Sequence, residues 1–293
     1  MASDLEYLVL AQRTANGLTR YWESWTDYLT TASRLYKYSF PDQLMIYAQR
    51  PDATACASYE IWNQTMRRYV RRGARGIALP DGAGAVRYVF DVADTGARKS
   101  SREVKTWALD ENNREAVAHA LETQYGSAAK LGIAGQLEEI AMQQSMDYWQ
   151  WHQDELRGIV DGSFLEGYDE LNLEIAFRNT AAASVKYMLL SRCNLAREHQ
   201  IEPEELAGVL EWNTSAASGA LGSAISELSE GVLRQIERTI RQYERSQNHD
   251  ERTDVHEERR VLDSRSDSSR TADGAEQIRT DAGMVSEGAS DDH

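Results

Sequence analysis

Only two cysteines occur among the 293 residues, Cys56 and Cys193, and neither belongs to a CxxC pair. That excludes a disulfide framework and a cysteine-built zinc site, and it fits a reducing cytoplasmic compartment. No charged-then-apolar leader opens the chain, and no apolar run approaches the ~18 residues of a membrane span. A soluble, cytoplasmic protein with no membrane partner is the expectation. Phosphate-cradling GxxxxGK[ST] and strand-following GxGxxG signatures are missing as well, so no nucleotide cofactor is implied. Acids are plentiful, but carboxylates scattered along helices are ordinarily solvated faces. His152 beside Asp154 and Glu155, and Cys193 beside Arg192, are the nearest approaches to a catalytic grouping. Each reads more simply as surface or core, so neither an enzyme nor a cofactor is expected.

Cations are also in deficit, with a formal net charge of −15, but the deficit is uneven. From Ile61 to Lys105 ten basic residues face four acids, which gives +6 locally and leaves −21 for the remainder. The basic residues include Arg67, Arg68, Arg71, Arg72, Arg75 and Arg87, and the rings of Trp62 and Tyr69 fall among the first of them. Where a polyanion docks depends on this distribution, not on the total.

Apolar spacing predicts an α+β protein: N-terminal helices packed on a small antiparallel sheet, then a mainly helical region, then a disordered tail. Residues 3–35 read as two helices broken at Asn16-Gly17, the second carrying Tyr21, Trp22, Trp25, Tyr28 and Leu29. Pro41 suits the first turn of a third helix, with Ser39 as a possible cap, ending before Pro51. Ser58–Met66 reads as a short helix. Tyr69-Val70, Gly76–Pro80 and Val86–Val92 read as strands, and Asp94-Thr95-Gly96 ends the sheet. Helices are then expected over 111–125, 135–160, 171–193, from 202 onward and over 220–245. Beyond Ser246 large apolar residues nearly vanish, and such a segment cannot offset its chain entropy. The expected domains are therefore 1–108, 109–245 and an acidic tail at 246–293.

Several patches in fixed order carry a family resemblance. They are Ser39 to Gln43; Ala48-Gln49-Arg50-Pro51-Asp52-Ala53-Thr54; Ile61-Trp62; Arg71 to Ile77; and Val89-Phe90-Asp91-Val92-Ala93-Asp94-Thr95. Together they resemble the N-terminal domain of ArdC-type antirestriction proteins, which are carried by plasmids and conjugative elements. The last patch is similar to that family's VFDxxQT strand. The resemblance implies single-stranded DNA binding, and a place at the start of large helicase- or methylase-containing proteins of Firmicutes mobile elements. Two departures stand out. Asp42 replaces the usual Asn, and the HExxH motif of the family's peptidase domain is missing. His256-Glu257 is followed by Glu258-Arg259-Arg260, so the second zinc ligand at i+4 is absent and peptidase activity is not carried over.

The residues expected to contact DNA are Lys37, Arg50, Trp62, Arg67, Arg68, Tyr69, Arg71, Arg72, Arg75 and Arg87. Arginine forks onto phosphate and stacks on bases, and rings serve as sequence-tolerant stacking platforms. Trp62 has a competing place in the core. Arg98, Lys99, Arg102 and Lys105 lie in a polar connector that could clamp a strand. The expected function is a sequence-tolerant single-stranded DNA-binding module of a mobile genetic element, in antirestriction or DNA protection. The alternative is an acidic DNA mimic that inhibits a host restriction or defence nuclease. The first reading requires the arginines to be free of neighbouring carboxylates.

Overall fold

In a computed structural model, residues 4–80, 85–195 and 202–247 are described. The fold is α+β. Helices α1 (Asp4–Leu18), α2 (Trp22–Arg34) and α3 (Phe40–Gln49) come first. The strands follow: β1 (Cys56–Ser58), β2 (Tyr69–Val70), β3 (Ile77–Pro80), β4 (Val86–Asp91) and β5 (Thr95–Gly96). Helices α4 (Arg114–Tyr125), α5 (Gly132–Ile159), α6 (Glu170–Arg192), the single turn α7 (Pro203–Leu206) and α8 (215–247) complete the order. None of the described helices is long and apolar enough to cross a membrane.

The strands form two antiparallel units. A three-stranded sheet has the order β1-β4-β3, and β2 pairs with β5 as a separate ribbon. Ile77 lies opposite Val89, so the buried faces of β3 and β4 coincide over a small core of Leu35, Met45, Ile46, Ile77, Leu79 and Val89. At the β3 edge, Gln49 acts as a substitute strand. Its Nε2 donates to the Ala78 carbonyl (2.9 Å) and its Oε1 accepts from the Ala78 N–H (3.0 Å). Both backbone groups of a fully buried residue are thereby satisfied. Asp91 does a related task at the other edge. Its buried carboxylate accepts from the backbone N–H groups of Thr54, Ala55 and Ala93, which fixes the entry to β1.

A larger core joins α2, α5, α6 and α8 through Trp25, Tyr28, Trp149, Phe177, Ile225 and Leu233, with Trp212 entering it just before α8. Some buried polar atoms inside it are paired, while Trp212 Nε1, Gln136 Oε1 and Ser229 Oγ have no hydrogen-bond partner among the described residues. Trp25 Nε1 donates to Ser184 Oγ (3.0 Å), and Tyr28 Oη donates to Gln43 Oε1 (2.9 Å).

Several details differ from the sequence expectation; α1 runs unbroken through Asn16-Gly17, and Thr95-Gly96 is itself a strand. The expected division at 108 is not a break in packing. Trp107 is buried in the larger core, donates to Tyr36 Oη (3.0 Å), and carries the Arg192 guanidinium 3.5 Å above its ring. Residues Met1–Ile240 form one compact unit. Ser58–Met66 contains a π-helical turn at Ile61–Thr65, the widened helix that a single inserted residue produces. Ser39 precedes α3 but makes no side-chain cap. Helix α8 begins five residues before the expected 220, because Thr214 Oγ1 accepts from the Ala217 N–H (3.1 Å) as a cap. The expected tail at 246–293 lies outside the described residues except for 246–247, which are helical.

Candidate nucleic-acid interface

The β2–β5 ribbon and the segments that flank it gather the basic residues. After the π-helical turn the chain reverses at Arg67, whose φ is +54°, and Arg68 N–H donates to the Trp62 carbonyl (2.8 Å). β2 then pairs with β5, and Arg71 N–H donates to the Asp94 carbonyl (2.8 Å). A turn follows in which Ala74 N–H donates to the Arg71 carbonyl (3.1 Å). Gly73 supplies the positive φ of +86° that this turn requires. These constraints place Arg67, Arg71, Arg72 and Arg75 at the surface, all exposed, with Arg68 half-buried.

The connector after β5 is tied to the same place. Ser101 Oγ donates to the Arg67 carbonyl (2.7 Å), and Arg102 N–H donates to the Met66 carbonyl (2.9 Å). Arg98, Lys99 and Arg102 are therefore held beside the reversal and remain exposed. Sequence spacing separates these two basic groups, and the bonds from Ser101 and Arg102 reunite them.

Among the described residues, no carboxylate pairs with Arg67, Arg68, Arg71, Arg72, Arg75, Arg98, Lys99 or Arg102. Arg68 Nε instead donates to Thr95 Oγ1 (2.8 Å), and Arg98 Nη1 donates to Asn63 Oδ1 (3.2 Å). Tyr69 lies within this group. One side of its ring lies on Gly96, where an added Cβ would come within 2.3 Å of Cζ. The Arg98 guanidinium stands 5.7 Å from the ring centroid, and 43% of the residue is open to solvent. The result is a cationic ledge bearing one accessible ring.

Four of the expected contact residues are placed otherwise. Trp62 is only 3% exposed and donates its Nε1 to the Phe90 carbonyl (2.8 Å). It joins the π-helical turn to β4, so its ring is not a platform. Lys37 pairs with the largely buried carboxylate of Glu237 (2.6 Å), which also accepts from Tyr36 Oη. Arg50 pairs with Asp94, with Asp52 also near at 3.7 Å. Arg87 pairs with Asp42.

Comparison of the chain with family models, curated proteins and solved structures found no match.

Two further exposed rings, Tyr59 and Tyr88, belong to the same part of the chain. Tyr88 was legible in principle. Strand alternation puts it on the face opposite buried Val89, which is the solvent face of β4. The remaining chemistry is sparse. Burial pushes the Cys56 thiol up to about 12, with Asp91 adding to the effect, and burial alone raises Cys193 to about 12. Thiols held protonated in this way are poor nucleophiles. Among the described residues, no group of three or more His, Cys, Asp or Glu is placed to hold a metal ion.

Proposed function

We propose that the ledge around β2 and β5 binds single-stranded DNA without base preference. One observation carries the reading: a set of exposed guanidinium groups without carboxylate partners, surrounding an accessible tyrosine, on a chain whose remainder is strongly acidic. Unpaired guanidiniums attract phosphate, and they do so without losing an existing ion pair. The Tyr69 ring offers a face to any base, which is the sequence-tolerant element of single-strand binding. A duplex hides its base faces, so the ring favours unpaired strands. The acidic remainder repels a polyanion and confines docking to the ledge. In a mobile element this binding would protect or deliver the entering strand, the antirestriction role that the ArdC resemblance implies. Helicase or methylase modules and a host nuclease are the partners consistent with that role.

The test is fluorescence anisotropy with a labelled oligonucleotide, single- and double-stranded side by side. The single strand binds more tightly, and its affinity falls linearly on logarithmic axes as salt rises. The triple variant Arg71→Glu, Arg72→Glu, Arg75→Glu binds at least tenfold more weakly. Parental affinity in that variant would overturn the proposal.

A further inference from the structure

A second surface lies along α6, apart from the ledge. Asn172, Ile175, Ala176, Asn179, Ala183 and Lys186 follow one face of that helix and form the floor of an open groove of about 550 Å³. This face spans about 21 Å at 1.5 Å per residue, enough for a partner helix of three to four turns. α5 forms one wall through Glu138 and Met142. The opposite wall is Tyr168 with the segment that follows α7. That segment approaches closely because Gly208 has no side chain: an added Cβ would lie 2.7 Å from Thr180 Oγ1 on α6.

The groove exposes large apolar side chains beside Asn172 and Asn179 of its floor, and it is charged at its edges. Met142, Ile175 and Tyr168 are each more than 40% exposed, and Leu171 nearby is 64% exposed. Large apolar side chains grouped this way on a soluble surface mark an interaction site. Glu138, Glu204, Glu205 and Glu211 stand along the sides, while Lys186 is the one cation of the lining among the described residues. Its charge is cancelled by Glu138 at 2.9 Å and Glu205 at 3.0 Å. The lining is left with a net negative charge around an apolar strip.

We propose that this groove docks a basic amphipathic helix from another protein. The strip matches the i, i+3, i+4, i+7 apolar anchors of such a helix, and the flanking glutamates match its lysines and arginines. An acidic or uncharged helix would meet repulsion or leave the carboxylates without partners. The proposal is independent of DNA binding, because no residue of the ledge takes part.

An 18-residue Leu/Lys amphipathic peptide, fluorescein-labelled, is the probe, with a Leu/Glu peptide of the same apolar pattern as the control. Anisotropy is read on the full chain at physiological salt. The Leu/Lys peptide binds saturably with one-to-one stoichiometry, and the Leu/Glu peptide does not. The exposed-residue variant Met142→Asp, Ile175→Asp weakens binding at least tenfold with an unchanged circular dichroism spectrum. Glu115→Gln, on α4 outside the groove, leaves it unchanged. Equal binding of both peptides would show non-specific apolar adsorption, undiminished binding in the double variant would show a non-specific acidic surface, and either would overturn the proposal.

Discussion

Trp62 and Tyr69 are near neighbours in the chain with opposite environments, and that contrast yields two predictions. Trp62→Phe removes the bond to the Phe90 carbonyl, which costs about 1–3 kcal/mol when the acceptor is left unpartnered. The melting temperature falls, while oligonucleotide affinity per folded molecule stays at the parental value. Tyr69→Ala does the reverse. It removes a stacking face worth roughly 1–3 kcal/mol per base, so affinity falls about 5- to 150-fold with little change in stability. Gly96→Ala should mimic it, because its methyl group occupies the space under the ring and displaces Tyr69. Anisotropy and thermal melts on the three variants separate the two roles, and weakened binding in Trp62→Phe would return that ring to the interface. Residue type alone could not make this distinction. Both are aromatic residues near arginines, and only the π-helical turn sends one ring inward. Arg50, Lys37 and Arg87 were equally opaque, since Asp94, Glu237 and Asp42 reach them from distant parts of the chain.

Elements with a long repeat were legible, and elements without one were not. The apolar stripe of α2 and the proline at the first turn of α3 are local signals, and both helices form where those signals place them. β1 and β5 have three and two residues, too few for alternation to register, and they exist because β4 and β2 pair with them. The edge of β3 depends on a contact no local pattern encodes, the Gln49 carboxamide. Gln49→Leu leaves the N–H and C=O of buried Ala78 without partners and costs about 2 kcal/mol. Chemical denaturation measures that loss. Gln49→Glu keeps the acceptor but loses the donor, so it should fall between Leu and the parent. A Leu variant as stable as the parent would mean that α3 does not support the sheet edge. The ledge belongs to this scale as well. Its arginines were visible as a run of charge, but the return of Arg98, Lys99 and Arg102 to the same place depends on the Ser101 hydroxyl and the Arg102 N–H, which donate to the Arg67 and Met66 carbonyls.

At the scale of the molecule, the thiols and phenols that the fold buries share one bias: they keep their protons. Burial holds the Cys56 and Cys193 thiols up to about 12, and it raises the phenols of Tyr28, Tyr36 and Tyr38 above their ordinary range. In the unfolded chain thiols release their protons near ~8.5 and phenols near ~10. Between those values and the folded ones, the native state binds more protons than the unfolded state. Stability therefore falls as pH rises. The contribution is complete below about pH 8 and is lost as pH climbs through the folded values. Melting temperature should hold level from pH 6 to 8 and decline from pH 9 to 11. General repulsion among carboxylates already ionised at pH 7 does not change over that interval, so it cannot produce the same curve. Replacing both thiols, as Cys56→Ala with Cys193→Ala, separates the two stages. The decline between about pH 8.5 and 10 flattens, and the later decline from the phenols persists. A melting temperature that rose with pH over this range, or a double variant with the parental profile, would mean that the thiols are not held protonated by the fold.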